Sequence, residues 1–313
     1  MKKLLLTVFL ISNFINSQEI INDTLQTTRQ NLDEVIVKGI RAKFSSPISY
    51  TNVDKDDLKS KNLGQDLPIL LKFLPSVVIT SDAGAGIGYT GIRIRGVSPQ
   101  STNITINGIP FNDAESMGTY WVNLPDFTSS IESLQVQRGV GTSTNGSGAF
   151  GASINILTDV ISDQPYAEIS SSFGSYNTLK NTIKFSTGKI NNHFEFSGRL
   201  SKIDSDGYVD RAYSDLKSYF IQGTYTNGNR LIKALSFSGY EKGYQSWYGL
   251  TMDQVQENRR QNPYTYENEI DDYKQDHFQL HWNEKITNYL SFNLGLNYTD
   301  GRGYYEQYRE DDD

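Results

Sequence analysis

Residues 131–139 read Ile131-Glu132-Ser133-Leu134-Gln135-Val136-Gln137-Arg138-Gly139, and residues 148–158 read Gly148-Ala149-Phe150-Gly151-Ala152-Ser153-Ile154-Asn155-Ile156-Leu157-Thr158. Both runs are typical of strands, and small residues join them. The pair therefore predicts two strands at the end of a small domain. The segments before and after this pair indicate which kind of domain it is.

Strand-like alternation fills the chain after Pro165. Leu290, Phe292 and Leu294, for example, alternate with serine, asparagine and glycine. Comparable runs predict seven strands near residues 166–174, 178–188, 193–204, 217–227, 231–243, 273–285 and 289–305. Each has one apolar and one polar face, and short connectors alternate with long segments at 204–215 and 244–272. This pattern is typical of an outer-membrane β-barrel, in which lipid-facing and lumen-facing residues alternate.

Seven strands do not close such a barrel. An open sheet edge in lipid leaves unpaired backbone groups, and each of them costs several kcal/mol. We therefore expect a truncated chain, with further strands beyond Asp313.

The composition excludes several classes of site. Cysteine is absent, which removes disulfides, thiolate catalysis and cysteine-bound metals. Acidic residues number 36 against 29 basic residues, which argues against binding to a phosphate backbone. The 20 tyrosines and 15 phenylalanines fit the aromatic girdles of a barrel.

The first 42 residues indicate secretion and a tether. Residues 1–17 hold two lysines and an apolar run, which predict a signal peptide; an anchor helix is the alternative, but spanning requires about 20 apolar residues. Residues 18–42 are predicted to be a polar tether. Within it, residues 32–39 form a short β-prone run that needs a sheet edge, because an isolated strand is not stable. The alternative is a first strand that pairs within the following domain.

Residues 43–162 are predicted to form a small mixed α/β domain. Leucines at helical spacing predict a helix over residues 65–74, which Pro75 ends. Residues 91–96, Gly91-Ile92-Arg93-Ile94-Arg95-Gly96, predict a strand with both arginines on one face. Asn107-Gly108, which lies between apolar residues, predicts a two-residue hairpin.

No catalytic or metal site is predicted. Residues 86–91 and 146–151 match the glycine spacing of a dinucleotide-binding loop, but both lead into strands and lack the helix that would bind phosphate. His277 and His281 lie four residues apart on a predicted strand, at about 13 Å, which is too far to share one ion. We predict that both face the lumen with Gln279. Acidic clusters near 267–272 and 310–313 lack the ligand spacing of a calcium loop.

The two runs quoted first resemble the end of the plug domain in TonB-dependent receptors, IExIEVxRGP…YGxGAxGGxINIxT. Val140 stands where that family often has proline, and Ala152 where it often has glycine. Residues 92–96 and 107–110 resemble the family's IRIRG and NG(I/V)P motifs, and residues 32–39 resemble its TonB box. Ser76 stands where the family often has glycine. The chain is similar to members from Bacteroidetes-type bacteria that are related to ferric-citrate receptors.

The resemblance implies a mixed α/β plug domain over residues 43–162. Residues 163–313 would be the first seven of about 22 antiparallel strands of a transmembrane β-barrel in the bacterial outer membrane. Neither enzymatic activity nor a cofactor nor a nucleic-acid partner is expected. The periplasmic protein TonB would bind Asp33, Glu34, Val35, Ile36 and Val37. Candidate ligand-binding residues are Gln100, Ser101, Asn103, Tyr120 and Trp121, and candidate contacts between plug and barrel are Arg93, Arg95, Glu132 and Arg138. Solvated positions on a strand face are the alternative for these four charges.

Together these expectations describe a receptor that imports a scarce ligand, with a ferric chelate or siderophore as the first choice. An importer of glycans, peptides or cobalamin would carry the same motifs. A non-transporting surface adhesin is the alternative outside transport. Outer-membrane lipid, TonB and the extracellular ligand are the predicted partners.

Overall fold

The computed structural model describes residues 39–141 and 150–309. The predicted signal peptide and the predicted TonB-binding residues 33–37 lie outside the described residues. None of the helices within the described ranges is long and apolar enough to cross a membrane.

The described chain has two parts, which we call the inner domain (residues 39–162) and the wall (residues 166–305). The strands of the inner domain are β1 Ser49–Asp54, β2 Val77–Ser81, β3 Thr90–Ile94, β4 Thr102–Ile106, β5 Ile109–Pro110, β6 Ile131–Arg138 and β7 Ala152–Thr158. Its helices are α1 Lys55–Lys59 and α2 Leu67–Leu70, with 3-10 turns at Pro99–Ser101, Trp121–Asn123 and Phe127–Ser130. The strands of the wall are β8 Tyr166–Phe173, β9 Leu179–Ser186, β10 Phe194–Ser205, β11 Ser214–Thr226, β12 Arg230–Tyr244, β13 Ile270–Lys285 and β14 Ser291–Tyr305, and α3 is Met252–Glu257.

The two strands predicted first form the centre of the inner domain. Strands β6 and β7 pair antiparallel, with Leu134 opposite Ile156 and Val136 opposite Ile154. They occupy adjacent positions in the sheet order β1-β6-β7-β4-β5. The side chains of these four residues are fully buried, so the alternation seen in the sequence forms the core.

The hairpin predicted at Asn107-Gly108 is confirmed. Ile106 pairs with Ile109 across a two-residue turn, and both turn residues have positive φ, 54° and 83°. Such a turn matches the twist of paired strands, and asparagine and glycine adopt its left-handed conformation at low cost. The side chain of Asn107 also accepts a hydrogen bond from Thr158 N at 3.0 Å, which ties the turn to the end of β7.

Two local predictions need correction. Strand β3 ends at Ile94, and Arg95 turns away with a φ of 55°, so the two arginines do not share one strand face. The N–H of Arg95 donates to the carbonyl oxygen of Ser76 at 2.8 Å. Ser76 itself has a φ of 64°, which explains why glycine would suit this position. The predicted helix at 65–74 is regular only over α2, and single turns continue to Leu74.

The prediction of seven strands after Pro165 is confirmed for the described part of the chain. They form one antiparallel sheet in sequential order from β8 to β14, and the sheet is open. The apolar side chains point outward and are exposed, as at Ile183, Phe196 and Leu200. The opposite face is polar, as expected for a wall with lipid outside. That polar face was predicted to be wet, but much of it is buried because the inner domain packs against it.

Candidate functional site

A buried carboxylate, Asp126, joins the inner domain to the wall. It follows Pro125, has a φ of 51°, and its side chain is fully buried. Lys180 of β9 lies 2.7 Å from one carboxylate oxygen, and Arg199 of β10 lies 3.4 Å from the other. Thr182 and Ser201 each donate a hydrogen bond of 2.6 Å to the same carboxylate. Burial alone would raise the pKa of Asp126, but Arg199 and Lys180 outweigh it and hold the pKa below its usual value.

A second carboxylate, Asp159, repeats this arrangement at the end of β7. Lys184 of β9 lies 2.6 Å from it, and Lys55 of α1 lies 3.1 Å from it. Lys233 of β12 donates to the backbone carbonyl of Asp159 at 2.9 Å. Burial opposes ionisation, yet the two lysines that pair with the carboxylate lower the pKa of Asp159. We call Asp126, Asp159 and the wall cations Lys180, Lys184, Arg199 and Lys233 the anchor.

Apolar and backbone contacts continue from the anchor onto β11 and β12. The ring of Phe127 lies 5.1 Å from that of Phe237 between centroids. Ser218 donates to the carbonyl oxygen of Pro125 at 2.6 Å. A methyl group at Gly239 would overlap the carbonyl of Asn123, so β12 needs glycine where the inner domain approaches most closely.

A cavity of about 640 Å³ opens between the inner domain and strands β12 to β14. Its aromatic lining comes from both parts: Tyr89, Phe111, Tyr120, Trp247, Tyr273 and Tyr305. So does its acidic lining: Asp82, Asp113, Glu115, Glu241 and Asp271. Its described lining contains no lysine, arginine or histidine.

Contacts between the two parts shape the aromatic side of the cavity. The hydroxyl of Tyr89 donates to Asp271, and the ring of Tyr89 meets Trp247 edge to face at 5.3 Å. Burial, with the nearby Glu241 and Asp271, raises the pKa of Tyr89, so its hydroxyl keeps its proton. Tyr273 packs against Gly303 of β14, where a side chain would collide with its ring.

The carboxylates of the inner domain at this cavity differ in environment. Asp113 accepts hydrogen bonds from the backbone N–H groups of Ser116 at 2.7 Å and of Glu115 at 3.1 Å. The Ser116 bond is the main reason that the pKa of Asp113 lies below its usual value, so Asp113 is an anion. Burial raises the pKa of Asp82 to about 6. Both groups therefore carry most of a negative charge at neutral pH.

Some of the predicted ligand-binding residues line a cavity, and the others are buried within the inner domain. Tyr120 lines the large cavity, and Gln100, Tyr120 and Trp121 line a neighbouring cavity of about 230 Å³. Trp121 belongs mainly to the core, with 3% of its surface exposed. Ser101 is buried, and Asn103 pairs with Ser153 of β7 inside the sheet. A ligand contact at each of the five stays a prediction.

The four charges predicted to join plug and barrel have described partners inside the inner domain or are exposed. Glu132 pairs with Lys55 at 3.1 Å, and Arg138 donates to the carbonyl oxygen of Pro75 at 3.1 Å. Arg93 and Arg95 are exposed. Their role as contacts to a barrel wall stays a prediction.

The sequence reasoning missed the anchor. The sequence does contain an indication of it, because Asp126 lies between the apolar residues Leu124-Pro125 and Phe127. A carboxylate in such a run must be paired with a cation if it is buried. Lys180 and Lys184 occupy one face of β9, which is the pattern of a cationic partner surface.

His277 and His281 lie on strand β13, as predicted, and they are buried beside Gln279. The ring of His277 stacks on Phe237 at 4.6 Å, and His281 is 3.1 Å from the side-chain oxygen of Gln279. No group of three or more histidines and carboxylates within the described ranges could hold a metal ion.

Comparison with known proteins identifies the inner domain. The model of the TonB-dependent receptor plug domain matches residues 42–153. The vitamin B12 transporter BtuB of Vibrio vulnificus is 28% identical over 214 residues, which are 66% of this chain and 33% of that protein. The ferrienterobactin receptor of Escherichia coli K12 is 24% identical over 193 residues, which are 56% of this chain and 26% of that protein. The chain thus spans a third or less of the length of these curated relatives.

Solved structures share the fold. The ferric citrate transporter FecA in its unliganded form matches with a TM-score of 0.66 at 17% identity, over 84% of this chain and 42% of that one. The siderophore receptor PirA of Acinetobacter baumannii matches with a TM-score of 0.61 at 17% identity, over 81% and 40% of the two chains. These relatives are named as receptors and transporters, which agrees with the prediction that the chain is not an enzyme. The inner domain is thus a TonB-dependent receptor plug domain, and it packs against seven antiparallel strands in the fold of an outer-membrane receptor.

Proposed function

We propose that the complete receptor imports a scarce ligand across the outer membrane, with energy delivered through TonB. The observation that carries the proposal is the 640 Å³ cavity, because both the inner domain and the wall line it. A ligand bound there contacts both parts at once, so movement of the inner domain changes its binding site. Cavities of about 300–1,000 Å³ are typical of small-molecule sites.

A ferric chelate is the first choice of ligand. The relatives named for ferrienterobactin, ferric citrate and siderophores support this choice. Cobalamin is the second candidate, because a relative that matches two thirds of this chain is named as a vitamin B12 transporter.

TonB would engage residues 33–37 by strand addition, in which main-chain hydrogen bonds supply the grip. The chain then enters the inner domain at Arg41 and Ala42. Arg41 donates to the hydroxyl of Ser133 at 3.0 Å and to the carbonyl oxygen of Asn155 at 2.9 Å. Ala42 N donates to the side chain of Gln135 at 2.7 Å. A pull on the preceding residues therefore acts on β6 and β7, the central strands of the inner domain.

Resistance to this pull would come from the anchor. Asp126 and Asp159 fix the inner domain to β9 and β10, whereas the cavity separates the two parts around Glu241, Asp271 and Tyr305. We propose that the cavity side yields first and that a ligand path opens there.

A proline at Val35 tests the coupling, because proline removes a backbone donor from the added strand. In the complete receptor, Val35→Pro should abolish energy-dependent uptake of a radiolabelled ferric chelate and leave binding at the cell surface unchanged. Val35→Ile is the matched control, since it keeps the N–H and the β-branched shape, and it should transport normally. Unimpaired uptake by Val35→Pro contradicts the role of residues 33–37.

Experiments with a strain that lacks the receptor distinguish the alternative functions. Growth of a deletion strain on ferric chelates, cobalamin or glycans distinguishes the importers. An adhesin predicts that surface attachment persists after the proton gradient is dissipated and that no ligand enters the cell.

A further inference from the structure

The charges that face each other differ between the two contact regions. At the anchor, the carboxylates of the inner domain meet cations of the wall. At the cavity, Asp113 and Glu115 of the inner domain and Glu241 and Asp271 of the wall line the same space, so both parts contribute carboxyl groups. No described lysine or arginine lines this cavity.

Nearby cations do not neutralise the cavity. Lys242 of β12 pairs with Asp272, and Lys274 of β13 pairs with Asp276. These even-numbered residues lie on the outward face, opposite to Glu241 and Asp271. Among the described residues, the carboxyl groups of the lining therefore have no lysine or arginine partner.

The aromatic lining favours the same kind of occupant. Tyr89, Trp247 and Tyr305 follow one another at centroid distances of 5.3 Å and 6.1 Å. Tyrosine and tryptophan faces attract ammonium and guanidinium groups, by about 0.5–1 kcal/mol at exposed sites and more where water is excluded.

From the carboxyl groups and the aromatic faces of this lining, we infer that the imported ligand carries a cationic group, which lies between Asp113 and Glu115 of the inner domain and Glu241 and Asp271 of the wall. In the terms of the proposed function, this is an oxygen-rich metal chelate with an ammonium or guanidinium arm. An anionic carboxylate or catecholate chelate does not fit this lining. The inference rests on the proposed function, which supplies the site but not its preference for charge.

Three chelates that differ only at one end test the preference. Ferrioxamine B is a ferric trihydroxamate with a free ammonium arm; acetylation of the amine makes it neutral, and succinylation makes it anionic. The complete receptor in detergent should bind the ammonium form about fivefold more tightly than the acetylated form. It should bind the succinylated form at least about tenfold more weakly than the ammonium form, as expected from one or two charge contacts of modest strength.

Variants assign the effect to this cavity. The double variant Asp113→Asn and Glu115→Gln should remove most of the advantage of the ammonium form over the acetylated form. Asp253→Asn, on the exposed helix α3 outside the cavity lining, is the matched control and should keep the full preference.

Equal or tighter binding of the succinylated form overturns the inference, as does a preference for the ammonium form that survives the double variant. Binding of none of the three chelates at millimolar concentration also overturns it. The proposed function fails separately: its test is whether uptake of any iron source requires TonB, which is measured in cells and does not depend on the charge series.

Discussion

The anchor and the cavity are two contacts between the same domain and the same wall, and they are built in opposite ways. At β9 and β10 each buried carboxylate of the inner domain has a cation within ion-pair distance. At the cavity, carboxyl groups of both parts line an open space that no described lysine or arginine lines. In the proposed function, the paired charges hold the inner domain and the unpaired carboxyl groups bind the ligand.

The largest expected effect comes from breaking the anchor. Asp126→Ala would leave Lys180 and Arg199 buried without a counter-charge, which should destabilise the seating of the inner domain by about 3–5 kcal/mol. Limited proteolysis and thermal unfolding of the complete receptor measure this loss. Glu168→Gln is the control, because its pair with Lys59 also joins the wall to the inner domain but is exposed, and it should change stability by less than about 1 kcal/mol. Equal effects of the two variants would contradict the role of the anchor.

A smaller effect is expected at the apolar part of the contact. Gly239→Ala places a methyl group against the carbonyl of Asn123, which should cost about 1–3 kcal/mol because the inner domain must shift. Gly223→Ala on β11 is the matched control, since nothing lies within 4 Å of the added methyl group. Thermal unfolding of both variants gives the comparison. A neutral Gly239→Ala would show that the inner domain approaches β12 less closely than described.

An effect that depends on pH concerns Asp66, a buried carboxyl close enough to Glu241 to repel it. Burial raises the pKa of Asp66 from 3.8 to about 8, although Thr90 donates a hydrogen bond to it. The folded state therefore keeps the proton that the unfolded chain loses above pH 3.8. Stability from this group is complete below that pH and is lost as the pH rises towards 8, by on the order of 1 kcal/mol per pH unit.

Asp66→Asn keeps an acceptor for Thr90 and cannot ionise, so it should remove this loss. Thermal unfolding at pH 5 and pH 8 should show that the stability of the variant relative to the unmodified protein is greater at pH 8 than at pH 5. A difference that does not depend on pH would show that Asp66 is charged in the fold. The contrast with Asp126 would then disappear, since both carboxyls would be held as anions.

The alternation of side chains predicted most of the architecture. Strands β8 to β14 follow from it because successive side chains of a strand point to opposite faces, which gives apolar and polar residues a period of two. The hairpin at Asn107 followed from turn chemistry, since a two-residue turn needs positive φ at both positions. The turn at Arg95 was not predicted, because isoleucine and arginine keep alternating up to Arg95. The strand nevertheless ends at Ile94, and Arg95 has a positive φ.

The site was harder to predict than the fold. Tyr120 was predicted as a candidate because it lies in a loop of the inner domain, whereas Glu241, Trp247 and Asp271 belong to the wall and approach that loop only in three dimensions. The anchor was missed for the same reason, since Asp126 and Lys180 are distant in the chain. Periodicity shows which face a residue occupies but not which face of another element will oppose it.

The cations of the anchor have one further consequence. Lys180, Lys184, Arg199 and Lys233 are buried only because the inner domain covers them. In a complete receptor from which that domain is deleted, these four groups would be hydrated and would line one arc of an open channel. Rings of lysine and arginine select anions in pores, so the ionic current through this arc would be carried preferentially by chloride.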